Sequence, residues 1–107
     1  MLSKEDRKVV LRFKKRLLDN GIPVIEMRIF GSRARGDAVP ESDLDVFLLL
    51  NAITPEIKQT ISDLAWECGF TADRIITTVE FTPEEVLRTP LRSSPFIRTV
   101  MQEGVVL

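Results

Sequence analysis

Residues 30–50 read FGSRARGDAVPESDLDVFLLL and join two apolar segments through a polar turn. Gly31-Ser32 ends the first apolar segment, and Asp43-Leu44-Asp45 opens the second. The two segments predict neighbouring strands, because each is short, apolar and bounded by turn residues. A flexible turn and two carboxylates are therefore expected at the edge of a sheet.

The rest of the chain predicts the element order helix, strand, strand, helix, strand, helix, helix. Ser3 is expected to cap the first helix, and Asp6, at the third helical position, is expected to form a weak capping box with it. Ile25, Met27 and Ile29 are expected on one side of the first strand. The expected strands are 24–30, 44–50 and 74–81, and residues 31–42 are expected to form a loop. The expected helices run from the cap Ser3 to the stop at Gly21, from Thr54 to Gly69, from the Thr82–Glu85 capping box to Thr89-Pro90, and from Ser94 to Gly104.

These elements predict one domain, residues 1–107, of the α/β (α+β) class. Leu44 to Leu50 is nearly continuous in apolar residues, which is typical of a central strand covered on both faces. We therefore expect a small mixed β-sheet flanked by helices.

Composition narrows the chemistry of the chain. There is no histidine among the 107 residues, which excludes His-based triads and His-ligated zinc. A metal here would need oxygen ligands, which suit Mg²⁺ or Mn²⁺. Cys68 is the single cysteine, so no internal disulfide can form and a cytoplasmic setting is favoured. The longest apolar run is too short for a bilayer, so no membrane association is expected.

Asp43 and Asp45 project to the same side of their strand, because side chains alternate faces along a strand. Two close carboxylates repel each other unless a cation lies between them. A divalent ion would relieve this repulsion and leave coordination positions for phosphate oxygens. The pair therefore predicts a metal site.

The turn before these carboxylates has the features of a phosphate-binding segment. Gly31 permits close backbone approach, Ser32 can donate its hydroxyl and N–H, and Arg33 or Arg35 could neutralise phosphate charge. Each piece alone is more often structural than functional. The combination, at this spacing between two strands, favours a nucleotide site with nucleoside triphosphate as substrate and pyrophosphate as leaving group.

The segments GSRARG at 31–36 and SDLDV at 42–46 resemble the signature of the DNA polymerase β-like nucleotidyltransferase superfamily. The chain looks most like the small stand-alone members called minimal nucleotidyltransferases, which the tail segments SPFIR at 94–98 and EGV at 103–105 also resemble. The resemblance implies a polymerase β-like nucleotidyltransferase fold. It also implies that Asp43 and Asp45 are catalytic and bind the metal that carries ATP, that Gly31 and Ser32 bind its phosphates, and that Arg35 either binds them too or has a structural role.

Active members of this superfamily usually have a third carboxylate on the following strand. Counting back from Thr82 puts Thr77 at that position, and Asp73 and Glu80 are nearby acids. The resemblance further implies a partner, since minimal nucleotidyltransferases pair with helical HEPN-type proteins as antitoxins and can attach AMP to them.

Three alternatives stay open on the sequence alone. A threonine at the expected position of the third acid favours a module that neutralises or scaffolds a partner by binding, with nucleotide as ligand only. Nucleic-acid end modification is disfavoured by a net charge of −1, with Lys14 to Arg16 as the only compact basic run. Self-association through Phe96, Ile97 or Val105 to Leu107 is the third.

Overall fold

The computed structural model describes residues 2–88 and 94–107, in which four strands form one sheet. The strands are β1 (Val24–Phe30), β2 (Leu44–Leu50), β3 (Ile76–Phe81) and β4 (Val105–Val106), and they lie side by side in the order β3-β2-β1-β4. Strand β2 is parallel to β3, whereas β1 is antiparallel to both β2 and β4. The expected mixed sheet is confirmed, with β2 inside it.

Five helices accompany this sheet among the described residues. They are α1 (Lys4–Asp19), α2 (Ser32–Arg35), α3 (Pro55–Ala72), α4 (Pro83–Arg88) and α5 (Pro95–Glu103). Ser3 caps α1 as expected, and the hydroxyls of Thr54 and Ser94, where two later helices were predicted to begin, also accept backbone N–H bonds. The expected break at Thr89-Pro90 lies outside the described residues. No helix in the described part of the chain is long and apolar enough to cross a membrane.

Strand β2 divides the core into two layers. Leu44, Val46, Leu48 and Leu50 belong to the larger cluster, which includes buried residues of α1 and α3. Phe47 packs on the opposite face against Ile97 and Val100 of α5. Because side chains alternate along a strand, Asp45 shares the α5 face with Phe47.

Strand β1 differs from its expected pattern at Ile25. The pairing with β2 shifts register between Val24 and Glu26, so the residue between them falls out of phase. Met27 and Ile29 are fully buried as expected, but Ile25 is 46% exposed. The expectation that all three lie on one side was wrong because of this irregularity.

Helix α3 was expected to end at Gly69. Instead it continues to Ala72 and is capped by Asp73, whose φ is 56°. A Cβ at Gly69 would lie 2.6 Å from the carbonyl oxygen of Arg74. The glycine therefore allows the chain that follows the helix to pass close to it, and the left-handed stop is made by Asp73 instead.

Two short elements lie where none was expected. The loop 31–42 contains the single-turn helix α2, and the tail forms β4. Val105 pairs with Ile29, and the N–H of Leu107 donates to the carbonyl oxygen of Met27 at 3.0 Å. The backbone of the tail completes the edge of the sheet, but Val106 is 53% exposed and Phe96 is 40% exposed, so the expected partial exposure is confirmed for these two. Ile97, in contrast, is buried at 3% exposure, and self-association stays a prediction.

Candidate functional site

Three segments meet at one edge of the sheet. Strand β1 ends where β2 begins, because the two are antiparallel, and β3 begins at the same edge, because it is parallel to β2. Asp45 pairs with Phe30 on one side and with Thr77 on the other. The turn at Gly31 and the start of β3 are thereby brought to the same carboxylate.

Gly31 and Asp45 fit together so closely that no side chain has room at residue 31. A Cβ built there would overlap Oδ2 of Asp45 and lie 3.3 Å from its Cγ. The backbone at Gly31 has φ 77° and ψ −161°, a conformation essentially restricted to glycine. The residue is therefore required both for the turn and for the position of the Asp45 carboxylate.

Thr77 fixes the other oxygen of this carboxylate. Its hydroxyl donates to Oδ1 of Asp45 at 2.6 Å. Thr77 thus stands beside Asp45 at the position where the sequence count placed the third acid. Glu80 pairs in register with Leu48 and so lies on the opposite face of the sheet. In the described residues no group of three or more His, Cys, Asp or Glu side chains could hold a metal ion.

Asp43 and Ser32 complete the set expected from the sequence. Asp43 precedes β2 by one residue and is half-buried. It lies two residues before Asp45, on the same face by strand alternation. Ser32 opens α2 directly after Gly31, and its hydroxyl makes no hydrogen bond within residues 2–88 and 94–107. A hydroxyl without an internal partner is available to a ligand.

Arg33 is engaged by the protein itself. Its guanidinium donates to the carbonyl oxygen of Ser42 at 3.1 and 2.9 Å and to that of Pro40 at 2.9 Å. The side chain is only 10% exposed. These bonds hold the end of the loop that leads into Asp43, so Arg33 supports the site rather than offering a free charge to it.

The buried carboxylate of Asp6 lies beside the guanidinium of Arg33. The carboxylate, which is 3% exposed, lies 2.5 Å from Nη1 of Arg74 and 3.5 Å from Nη1 of Arg33. The backbone N–H of Asp6 is bound to the Ser3 hydroxyl at 3.0 Å, as a helix cap requires. The carboxylate itself does not close the weak box expected from the sequence, because it is occupied by the two guanidinium groups.

Arg35 lies at the end of α2 and is 44% exposed. Its guanidinium pairs with Asp37 at 3.3 Å and with Glu103 at 3.7 Å. Both pairs are at the surface, where ion pairs are weak enough to be exchanged for another anion. Phosphate binding by Arg35 therefore stays a prediction.

The donor set suits a magnesium or manganese ion. Mg²⁺ is commonly bound by one or two carboxylates together with substrate phosphates. Asp43 and Asp45 supply two carboxylates, and one oxygen of Asp45 is directed at the turn that would meet the phosphates. The residues therefore fit a metal-bound triphosphate.

Comparison with protein families agrees with this geometry. The model of the nucleotidyltransferase domain family matches residues 8–107. The chain belongs to the nucleotidyltransferase domain family. None of the curated protein sequences compared with the chain is similar enough to count as a match.

Solved structures with the same nucleotidyltransferase fold include three toxin–antitoxin complexes. A complex with AMP-PNP is 20% identical, with a TM-score of 0.62, over 97% of this chain and 72% of that chain. A mutant MntA–HpeT complex is 23% identical, with a TM-score of 0.61, over 92% and 70%. A tri-AMPylated HEPN toxin with its MNT antitoxin, from Shewanella oneidensis, is 18% identical, with a TM-score of 0.57, over 94% and 69%. The nucleotidyltransferase family and the fold predicted from the sequence are confirmed.

Sequence reasoning missed the residues that hold this candidate site in place. Asp6 was interpreted only as a cap residue, and Arg74 only as the start of a strand. Their contact joins residues 68 positions apart, which no local pattern reveals. A carboxylate at the third helical position suits a capping box equally well, so only the fold distinguishes the two roles.

Proposed function

We propose that the chain binds ATP with Mg²⁺ or Mn²⁺ through Asp43 and Asp45 and transfers AMP to a hydroxyl group of a partner protein. The observation that carries the proposal is the orientation of Asp45. One of its oxygens is fixed by Thr77, and the other is directed at Gly31, where a side chain would collide with it. Such orientation is useful for a metal ligand that faces a phosphate-binding turn.

The proposed roles follow from position. Asp43 and Asp45 hold the ion, which supplies charge neutralisation for the triphosphate. The backbone at Gly31 and the hydroxyl of Ser32 contact the phosphates. Arg35 leaves its ion pairs with Asp37 and Glu103 and pairs with the phosphates instead. The acceptor oxygen forms a bond to the α-phosphorus, the bond from that phosphorus to the bridging oxygen breaks, and pyrophosphate leaves with the electron pair.

The proton of the acceptor hydroxyl passes to water in this scheme. Thr77 cannot take it, since a neutral hydroxyl is not a base at pH 7 and its own hydrogen is donated to Asp45. Without a carboxylate at this position, we expect slow transfer, because positioned general bases typically contribute about 10²–10⁴-fold to the rate.

The proposed partner is a HEPN-type helical protein, with this chain as the antitoxin of a toxin–antitoxin pair. Support comes from the neighbours in structure, one of which is an MNT antitoxin in complex with a tri-AMPylated HEPN toxin. ATP as substrate suits a cytoplasmic setting. Nucleic acid is not the proposed acceptor, because the net charge is −1.

The first test is calorimetric titration with ATP and with a non-hydrolysable analogue, with and without Mg²⁺. Binding that requires Mg²⁺ and disappears in the Asp43→Asn, Asp45→Asn double variant is expected. The matched control is Asp19→Asn with Asp63→Asn, which removes the same charge from exposed helix positions. Equal binding by both double variants would overturn the metal site.

A second function, binding without catalysis, is favoured by the threonine beside Asp45. Here the chain would neutralise or scaffold its partner while nucleotide is a ligand only. Incubation of the chain, Mg²⁺ and α-labelled ATP with a HEPN-type protein from the same organism separates the two functions. Label on the partner that depends on Asp43 and Asp45 supports transfer. A stable complex without label supports the binding module.

A further inference from the structure

Two aromatic side chains of α3 are exposed to solvent although they are large and apolar. The rings of Trp66 and Phe70 lie one helical turn apart and stack, with centroids 5.1 Å apart and planes inclined by 8°. Trp66 is 68% exposed and Phe70 is 72% exposed. Ile75, which follows the helix, is 63% exposed. Contiguous exposed apolar groups of this kind mark interaction sites.

An open cavity of about 900 Å³ lies beside these side chains. Trp66, Phe70 and Ile75 line it together with the loop before β2, including Ser42. We call these three apolar residues and this cavity the α3 groove. Ser42 directly precedes Asp43 in the chain, but the groove lies on the α3 face of the sheet with Ile76 and Thr78, whereas Asp45 and Thr77 lie on the opposite face.

The charge around the α3 groove is negative. Glu41 and Asp73 line the cavity, and neither forms an ion pair within the described part of the chain. Arg74 also lines it, but its guanidinium is already paired with buried Asp6. The carboxyl end of the 18-residue helix α3 lies here too, and the carbonyl groups at such an end carry partial negative charge.

We propose that the α3 groove is a docking surface for a basic, apolar segment of another protein. Arginine or lysine side chains of that segment pair with Glu41 and Asp73, and its apolar side chains cover the Trp66 and Phe70 rings. A guanidinium can also stack on the exposed ring faces, which attract cations. A second copy of this chain does not fit, since two such grooves would bring like charges together.

This docking surface goes beyond the proposed function, because it needs neither metal nor nucleotide. It also places a bound segment next to the loop that ends at Asp43. A transferase that modifies a partner protein needs a surface that holds the partner, and a binding module acts through such a surface alone. The docking surface and the nucleotide site can therefore be tested separately.

Trp66 is the single tryptophan of the chain, so the intrinsic fluorescence of the protein reports on the α3 groove alone. The probe is an amphipathic helical peptide of leucine and arginine, compared with the same pattern of leucine and glutamate. We expect a saturable blue shift and intensity change with the basic peptide only. The absence of any response to the basic peptide would overturn the proposal.

Variants separate docking from general charge attraction. Glu41→Gln with Asp73→Asn is expected to weaken binding roughly tenfold, which corresponds to about 1.4 kcal/mol. Asparagine tolerates the left-handed backbone at residue 73. Phe70→Ser should weaken binding with the charges intact. The control, Asp19→Asn with Glu56→Gln, removes two exposed charges elsewhere. Equal weakening by the control would overturn the proposal.

Two further measurements complete the test. Sedimentation without peptide shows whether the protein is a dimer, and the fluorescence of Trp66 shows whether this side chain is then covered. A dimer with Trp66 covered would assign the groove to a second copy and overturn the proposal. Mg²⁺-dependent ATP binding is measured on the same Glu41→Gln, Asp73→Asn variant and should be unchanged. Peptide binding without ATP binding leaves the docking surface and removes the transferase, whereas ATP binding without peptide binding removes the docking surface alone.

Discussion

The hydroxyl of Thr77 donates a hydrogen bond of 2.6 Å to Oδ1 of Asp45, at the position where a third carboxylate was expected. A threonine in this place orients its neighbour but adds no negative charge. The site therefore holds one carboxylate of fixed direction and a second, Asp43, one residue before the strand. Metal affinity and catalytic rate should both be limited by this exchange of an acid for a hydroxyl.

Thr77→Asp should make the protein less stable without metal and more responsive to Mg²⁺. The change removes a hydrogen bond and sets two carboxylates side by side, which we expect to cost about 2 kcal/mol. Mg²⁺ relieves the repulsion, so the increase in melting temperature on adding Mg²⁺ should exceed that of the wild type. Thermal melts with and without Mg²⁺ measure this.

Thr77→Val is the matched control for that change. It removes the hydrogen bond without adding charge, so its melting temperature should fall while its response to Mg²⁺ gains nothing. If Mg²⁺ raised the melting temperature of Thr77→Asp no more than that of Thr77→Val, the carboxylate would not join the metal site and this interpretation would be wrong.

Gly31→Ala should lower both stability and nucleotide binding. Its Cβ would collide with the Asp45 carboxylate, and its backbone would be forced into a conformation that alanine avoids, with a cost of about 3 kcal/mol. Urea unfolding gives the free energy, and ATP titration with Mg²⁺ gives the binding.

Gly21→Ala tests whether the effect belongs to the site. Gly21 also has a positive φ, 74°, but a Cβ there would meet no atom within 4 Å. We expect a loss of about 1–2 kcal/mol from the backbone alone and unchanged ATP binding. A loss of ATP binding in both variants would assign the effect of Gly31→Ala to general destabilisation.

Asp6→Asn should destabilise the fold strongly for a single isosteric change. It removes the negative charge between Arg33 and Arg74 and leaves their guanidinium groups in a partly buried place without a counter-charge. Breaking buried ion pairs in this way costs about 3–5 kcal/mol, and the partial exposure of Arg74 favours the lower value. Urea unfolding at neutral pH measures it.

The control for Asp6 is Asp19→Asn, which breaks the exposed pair with Lys15. That change should alter the free energy of unfolding by about 0.5 kcal/mol or less, since exposed pairs one helical turn apart contribute little. Similar effects at residues 6 and 19 would contradict the assignment of Asp6 as a buried anchor.

Cys68 should make stability fall at alkaline pH. The side chain is 4% exposed, and burial raises the pKa of its thiol above the ordinary value. The thiolate is therefore favoured in the unfolded chain, so stability is intact below the ordinary thiol pKa and declines as pH rises through it toward the raised value. The slope should approach about 1.4 kcal/mol per pH unit at most.

Cys68→Ala isolates this contribution, because all other titrating groups stay the same. The difference in unfolding free energy between wild type and variant should be constant up to about pH 8 and then shrink. A difference that stays constant to pH 10 would show that the thiol is not protected by burial.

Local signals predicted most of the elements. Strong caps at Thr54 and Thr82 and the apolar run of β2 specify their own structure, and the Thr82–Glu85 box forms as expected, with bonds of 3.0 and 3.2 Å. The errors occurred where the reason is tertiary. Gly69 is small because Arg74 passes close to it, and Val105 is in a strand because β1 offers a free edge.

The candidate site was predictable to a similar degree. Gly31 and Asp45 could be chosen from their spacing between two strands, and their direct fit is consistent with that choice. The anchoring roles of Asp6 and Arg33 could not be predicted, because their contacts form only in the folded arrangement of α1 and α2. Sequence patterns specify which residues face a ligand more readily than which residues keep them in place.

Arg33 donates three hydrogen bonds to the loop before β2, and all of them end on backbone carbonyl oxygens, those of Pro40 and Ser42. Hydrogen bonds to backbone carbonyl oxygens do not depend on which side chains those loop residues carry. Val39, which is 57% exposed, can therefore be exchanged for a cysteine that carries a fluorescent label, four residues from Asp43. The same property makes this part of the loop tolerant of substitution, so that its side chains can change while Asp43 and Asp45 keep their places.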